Sequence, residues 1–287
     1  MSIVLGDNRY GKAETRLVHV DRGGQRHRIS DLTVTTTLAG ELDATHLHGD
    51  NTGVLPTDTQ RNTVYAFARD GVGEPEDFAL RLARHFVDSQ PTIHLSRVSI
   101  ESHRWDELDG GDGRSFTRGA GARTATATYD GGKAWVVSGV SGLTVLNTTG
   151  SQFGGFVRDR YTTLAETTER ILATAVTASW RHGSAEPTDW SASHERAVRG
   201  MLDAFARTPS LSLQQTLYAM GRRVLEHGPE LVEVRLVLPN KHHFLVDLQP
   251  FGLDNPDAVY YAADRPYGLI EGTVLREDAP PAGAAWW

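Results

Sequence analysis

Two polar side chains, Asn240 and His242, stand two residues apart in Leu238-Pro239-Asn240-Lys241-His242-His243-Phe244. The stretch lies between the alternating runs Val232, Val234, Leu236, Leu238 and Phe244, Val246, Leu248, so it reads as the corner of two antiparallel strands. Pro and Asn are ordinary turn residues and explain the corner by themselves. If the second strand has already begun, period-2 geometry turns an amide and an imidazole toward one space, and the imidazole titrates near neutrality. Lys12 presents a similar pair of readings. It is a solvated cation at a strand entrance or, if buried beside a substrate, an amine whose pKa falls through desolvation until it acts as a base.

Other candidates are spread along the chain. Thr57-Asp58 opens a helical pattern, with Gln60 three residues after Thr57, the spacing of a capping box; a helix start also offers free backbone N–H groups to an anion. Phe153 and Phe156 are either core or aromatic platforms for a flat heterocycle, and the guanidinium of Arg170 offers planar paired donors to a carbonyl or anionic edge. Gln214 follows Leu213 at a polar position of an amphipathic helix, where its amide can both donate and accept.

Taken in order, these segments resemble the signatures of one family. Tyr10-Gly11-Lys12, Leu55-Pro56-Thr57-Asp58-Thr59-Gln60-Arg61-Asn62-Thr63, Ser151-Gln152-Phe153-Gly154-Gly155-Phe156-Val157-Arg158-Asp159 with the following run to Arg170, the Leu213-Gln214 helix start, the heptapeptide at Asn240 and Pro266-Tyr267-Gly268-Leu269-Ile270-Glu271-Gly272-Thr273-Val274 are all similar to urate oxidases (uricases). The resemblance implies oxidation of urate by dioxygen and water to 5-hydroxyisourate and hydrogen peroxide, with no metal or organic cofactor. It implies that Phe153 stacks under urate while Arg170 and Gln214 clamp it, with the backbone of Leu213 at the ring edge and Ile270 near the far end. It further implies that Lys12, Thr57 and His242 move protons, that Asn240 and Thr57 hold dioxygen, and that Thr57 and Asp58 reach the site of a neighbouring subunit. Gly154 departs from the pattern, since relatives commonly carry tryptophan there.

The elements that must position these residues follow from periodicity. Extended segments at Arg16 to Val20 and Arg28 to Leu38 flank the hairpin signal Asp21-Arg22-Gly23-Gly24. Helices follow from Thr57 and over Glu76 to Ser89, where Phe78, Leu82 and Phe86 form one stripe; strands at Thr92 to Ser102 and Ala122 to Tyr129 close the half. Lys133 to Thr148 and Arg170 to Trp180 read as extended, then helices at Ser193 to Ala206 and Ser210 to Leu225, the latter with Leu213, Leu217, Met220 and Val224 on one face. The strands around Asn240 complete a second half. The order predicts an α+β fold with antiparallel four-stranded sheets and two helices on one face, divided near residues 1–131 and 132–287. Unpaired sheet edges call for association. The resemblance implies two tandem tunnelling-fold units per subunit and a barrel-like homotetramer with sites at subunit interfaces.

Composition bounds the alternatives. The chain has 287 residues, net charge −7 and no cysteine, which removes disulfides, thiolate nucleophiles and cysteine-held metals together. No dense Lys/Arg run suggests nucleic acid or an anionic membrane, and the apolar run Ala134 to Leu146 is too short to span a bilayer. No signal peptide or Ser-Lys-Leu ending is visible, so a cytoplasmic, bacterial setting is expected. Two rivals stand beside urate oxidation. One is a metal enzyme using some of the 12 histidines, with His46 and His48 on one strand face and His242 as another candidate ligand. The other is a purine or pterin hydrolase, or a silent purine-binding protein, of the same fold. Asp109-Gly110-Gly111-Asp112-Gly113 reads as a flexible loop, and Ala279 to Trp287 as a tail.

Overall fold

The computed structural model describes residues 2–110, 112–186, 188–263 and 265–287, so Gly111 of the glycine-rich loop lies outside the described residues. The chain forms two units: Met1–Gly139 with Ser179–His194 and Asp278–Trp287, and Val140–Ala178 with Glu195–Glu277.

The first unit opens with β1 (Tyr10–Asp21) and β2 (Arg28–Gly40), followed by the short helix α1 (Asp43–His48), α2 (Thr57–Ala68), α3 (Pro75–Asp88), β3 (Ile93–Glu107) and β4 (Phe116–Tyr129). Its strands pair antiparallel in chain order, β1 to β2, β2 to β3 and β3 to β4. β1 runs further toward its N-terminus than its alternation suggests, because Tyr10, Gly11 and Lys12 pair with Leu38, Thr37 and Thr36. The stripe on α3 is core: Phe78, Leu82 and Phe86 are fully buried against Leu32, Val34, Val98 and Ile100 of the sheet. Burial of such a side chain is worth about 1.5–3 kcal/mol.

Strands β5 (Ala134–Asn147) and β6 (Leu172–His182) and helix α4 (Trp190–Arg207) each contribute residues to both units. The second unit continues with α5 (Leu213–His227), β7 (Leu231–Asn240), β8 (His243–Leu245), β9 (Tyr260–Ala262) and β10 (Gly268–Leu275). Leu213, Leu217, Met220 and Val224 of α5 are buried, and Gly221 lets the helix approach the sheet closely: a Cβ there would lie 2.7 Å from Val274 Cγ2 of β10.

Two local expectations are corrected. β7 does not form a hairpin with the residues after Asn240; it pairs with β10, Asn240 opposite Gly268 and Leu238 opposite Ile270. Residues His243 to Leu245 pair instead with Tyr260 to Ala262 in a separate two-stranded ribbon. A short exposed ribbon leaves little alternation to read, and its partner is distant in sequence. The second correction is at α1. His46 and His48 lie on a helix rather than a strand, where residues two apart do not share a face, and His46 Nδ1 is hydrogen-bonded to the Leu42 carbonyl at 2.9 Å.

The segment after Asp278 is a docked element rather than a loose tail. Ala285 is buried, Arg97 Nη1 donates to the Ala285 and Trp287 carbonyls, and the Arg9 guanidinium lies 5.3 Å from the Trp287 ring centroid. Among the described residues no helix is long and apolar enough to cross a membrane.

Candidate active site

In the second unit, chain crossings place Phe153 and Arg170 together. Ser151 and Ser210 form a parallel bridge and Phe153 and Thr167 an antiparallel one, so the segment before β6 folds back over Phe153. The Arg170 guanidinium then lies 5.3 Å from the centroid of the Phe153 ring, whose other neighbour is the Phe156 ring, stacked at 5.1 Å. Arg170 is half-buried, and burial pulls its pKa down; a guanidinium starts so high that it stays charged. Its Nε donates to Ser151 Oγ at 3.2 Å, and Ser151 is itself buried. That bond fixes the plane of the fork.

Ser151 was not legible as a site residue, since a lone serine carries no pattern. Its bridge partner Ser210 reaches α5: the Thr216 hydroxyl donates to Ser210 Oγ at 2.8 Å, with both residues buried. The helix begins one residue after Ser212, whose side chain accepts from the Gln215 backbone N–H at 3.1 Å and caps it. Leu213, first in the helix, is buried, while Gln214 is exposed and able to present its amide.

Asn240 ends β7, half-buried, and the next residue is tied back to β6 by Lys241 N–H donating to the Ala173 carbonyl at 2.8 Å. His242 follows, its ring stacked 5.7 Å from that of Phe244. Its pKa is lowered from the ordinary histidine value, first by burial and then by the positive charge of Arg170. His242 thus favours its neutral form near pH 7 and is electrostatically in reach of Arg170. Ile270, opposite Leu238 on β10, is half-buried.

The first unit holds Lys12, Thr57 and Asp58. Lys12 is half-buried on β1, its backbone N–H 3.4 Å from Thr36 Oγ1. Thr57 is not the helix cap. The cap position is Pro56, in extended conformation, and Thr57 is the first helical residue. Gln60, expected to complete a capping box, is instead buried and receives the Thr36 hydroxyl at 2.7 Å, while the Tyr10 hydroxyl donates to the Leu55 carbonyl at 3.1 Å. These bonds tie the first turn of α2 to β2 and the residues just before it to β1, and the Thr57 and Asp58 side chains are exposed. Asp58 pairs with Arg61 at 2.6 Å along its own helix. Among the described residues no three His, Cys, Asp or Glu side chains converge so as to hold a metal ion.

The comparison with known proteins decides what this arrangement belongs to. A family model described as Uricase matches residues 8–128 and 136–271. The chain belongs to the uricase family. It is 53% identical over 286 residues to a uricase of Arthrobacter globiformis, covering 99% of this chain and 94% of that protein, and 36% identical over 280 residues to one of Dictyostelium discoideum, covering 95% and 97%. The crystal structure of the Arthrobacter globiformis uricase matches with a TM-score of 0.95 at 52% identity, covering all of this chain and 99% of that one. A Bacillus sp. TB-90 urate oxidase, 22% identical, shares the fold with a TM-score of 0.81. The protein is therefore an oxidoreductase, a urate oxidase, and its fold is the α+β antiparallel arrangement of that family. Hydrolytic or silent readings are not favoured.

Proposed function

We propose that urate binds flat against Phe153, gripped by Arg170 and Gln214, and that Lys12, Thr57 and Asp58 take part in the chemistry, Thr57 and Asp58 reaching the site of a neighbouring subunit. The observation that carries this reading is the Ser151–Arg170–Phe153–His242 group. A guanidinium locked in plane at the edge of an aromatic ring, beside an imidazole kept neutral by burial and by that same charge, suits a planar purine anion.

Deprotonated urate is a reductant, so the protein need only hold it, accept protons and seat dioxygen over the reacting carbon. Urate, dioxygen and water give 5-hydroxyisourate and hydrogen peroxide: two electrons leave the purine and reduce dioxygen to the peroxide level, and the oxygen of water ends on the purine. No metal or organic cofactor enters this scheme. Arg170 and Gln214 bind the edge, with the Leu213 backbone beside it and Ile270 at the far end. Asn240, with Thr57, seats dioxygen and then water above the ring. Lys12, Thr57 and His242 relay protons.

The proposal extends to assembly. Each subunit is read as two tunnelling-fold units, near residues 1–131 and 132–287, and four subunits as a barrel-like tetramer in which Thr57 and Asp58 serve a neighbour's site. Support comes from side chains that a lone chain leaves bare: Val157, Tyr161, Phe251 and Tyr261 are largely exposed. A cytoplasmic site of action is part of the same proposal.

The test is Lys12→Met. Turnover should fall about 10²–10⁴-fold, the usual loss with a general base, while urate binding measured by equilibrium dialysis persists. Turnover within a few-fold of the parent removes Lys12 from the mechanism.

A further inference from the structure

We propose that Thr216 and Ser210 are positioning residues for urate: a buried chain of hydroxyl groups fixes the start of α5 against the Ser151 segment, and so sets the spacing between Gln214 and Arg170, the two arms of the proposed clamp. This role rests on that clamp and adds what holds its arms in place. Every residue of the chain belongs to the second unit.

Three hydroxyl side chains are almost completely removed from solvent here, Ser151, Ser210 and Thr216, at 1%, 1% and 0% exposure. A buried hydroxyl costs stability unless it is hydrogen-bonded, and a valine would occupy the place of Thr216 without that requirement. One proton per hydroxyl gives the chain a direction. Thr216 Oγ1 donates to Ser210 Oγ at 2.8 Å, and Ser210 Oγ donates to the Ser212 carbonyl at 3.2 Å. The same carbonyl lies 3.2 Å from Thr216 Oγ1, but the shorter contact to Ser210 takes the single proton. Ser212 is the cap of α5, and its carbonyl accepts from the Thr216 backbone N–H at 3.2 Å.

On its other side, Ser210 is bonded through its backbone to both neighbours of Ser151. Its N–H donates to the Gly150 carbonyl at 2.9 Å, and Gln152 N–H donates to the Ser210 carbonyl at 2.8 Å. Ser151, between them, accepts from Arg170 Nε at 3.2 Å. Gly150 is tied again to the residue before Arg170, its N–H donating to Glu169 Oε1 at 2.9 Å. One continuous path thus runs from the guanidinium to the first turn of α5. Thr216 is buried and Gln214 exposed, as residues two apart on a helix do not share a face, so Thr216 acts on Gln214 through the helix backbone. Its bond lies off the helix axis, one turn beyond the cap, and with Ser212 it resists turning as well as sliding of the helix. Fully satisfied buried networks rigidify and specify one arrangement. A planar substrate gripped at its edge by two separate arms depends on that, because hydrogen bonds weaken steeply as their geometry departs from the optimum.

Urate binding without dioxygen, where no turnover consumes the ligand, tests the role by equilibrium dialysis. The proteins compared are the parent, Thr216→Val, Thr216→Ser, Gln214→Ala and the Thr216→Val/Gln214→Ala double variant. Thr216→Val should weaken binding about two- to tenfold, the range of one net hydrogen bond. Thr216→Ser keeps the hydroxyl and should bind within about twofold of the parent. With Gln214 already removed, Thr216→Val should add no further loss, because the arm it positions is absent. A lower unfolding temperature would accompany any damage to the core, so the vanishing of the binding effect in the Gln214→Ala background is what separates positioning from packing. Should Thr216→Val not fold, Ser210→Ala breaks the same chain at its acceptor and enters the same cycle. Unchanged binding in a folded variant lacking either hydroxyl, or an equal loss in both backgrounds, overturns the role of the chain and leaves the clamp standing. Unchanged binding in Gln214→Ala removes the clamp, and this role with it.

Discussion

The imidazole of His242 feels two influences of the same sign, burial and the charge of Arg170, and both disfavour its protonated form. In the proposed role of acceptor it must be neutral, so activity should be retained at neutral pH and lost as pH falls through its lowered pKa. The acid limb of kcat/KM should therefore lie below the ordinary histidine value of about 6.5. In Arg170→Gln the burial remains while the charge is gone. That variant should bind urate more weakly and also show its acid limb moved upward in pH, toward about 6.5. Steady-state profiles of both proteins from pH 4 upward check the sign. An unmoved limb means that a different group sets it. Ser151, which fixes the Arg170 plane through Nε, had no sequence signal beyond its place next to Gln152-Phe153, because a small hydroxyl acquires a role only from what folds against it.

Helix α5 is the element on which the proposed urate clamp depends. It carries Leu213 and Gln214 at its start and is held close to the sheet by Gly221, which leaves no room for a Cβ beside Val274 and Leu236. Gly221→Val should cost about 1–3 kcal/mol by overpacking. Because the helix must lift to accommodate it, KM for urate should rise together with a fall in unfolding temperature; an unchanged KM in a destabilised variant would disconnect the helix position from the site. Periodicity revealed this helix well, since all four stripe residues, Leu213 to Val224, are buried core. The same holds for Phe78, Leu82 and Phe86 on α3. Periodicity failed at ends and short pieces. The capping-box reading of Thr57 missed that Pro56, already extended, serves as the cap, and that Gln60 is drawn inward by Thr36. The hairpin reading at Asn240 missed that β7 takes its partner from β10, a choice fixed by tertiary packing and invisible to local alternation. The terminal tryptophans had no reading at all, because Arg9 and Arg97, which receive that segment, are far away in sequence.

At the scale of the whole molecule, the candidate residues fall into two sets, Lys12, Thr57 and Asp58 in the first unit and the remainder in the second. If subunits share sites as proposed, chains defective in different sets complement one another. Thr57→Ala and Arg170→Ala proteins, each of low activity, should regain activity when mixed under conditions that allow subunit exchange. At equal input, random pairing leaves some sites with both residues intact. Absence of recovery, with exchange demonstrated by mass spectrometry of labelled subunits, would assign Thr57 to its own chain's site.

Urate oxidation itself is given by family membership, whereas the claim that binding and proton transfer suffice for it is not. Protein treated with a chelator and then desalted should consume one dioxygen and release one hydrogen peroxide per urate, at the rate of the untreated protein, followed by an oxygen electrode, peroxide assay and loss of urate absorbance. Loss of turnover on chelation, restored by a metal ion, would contradict the account.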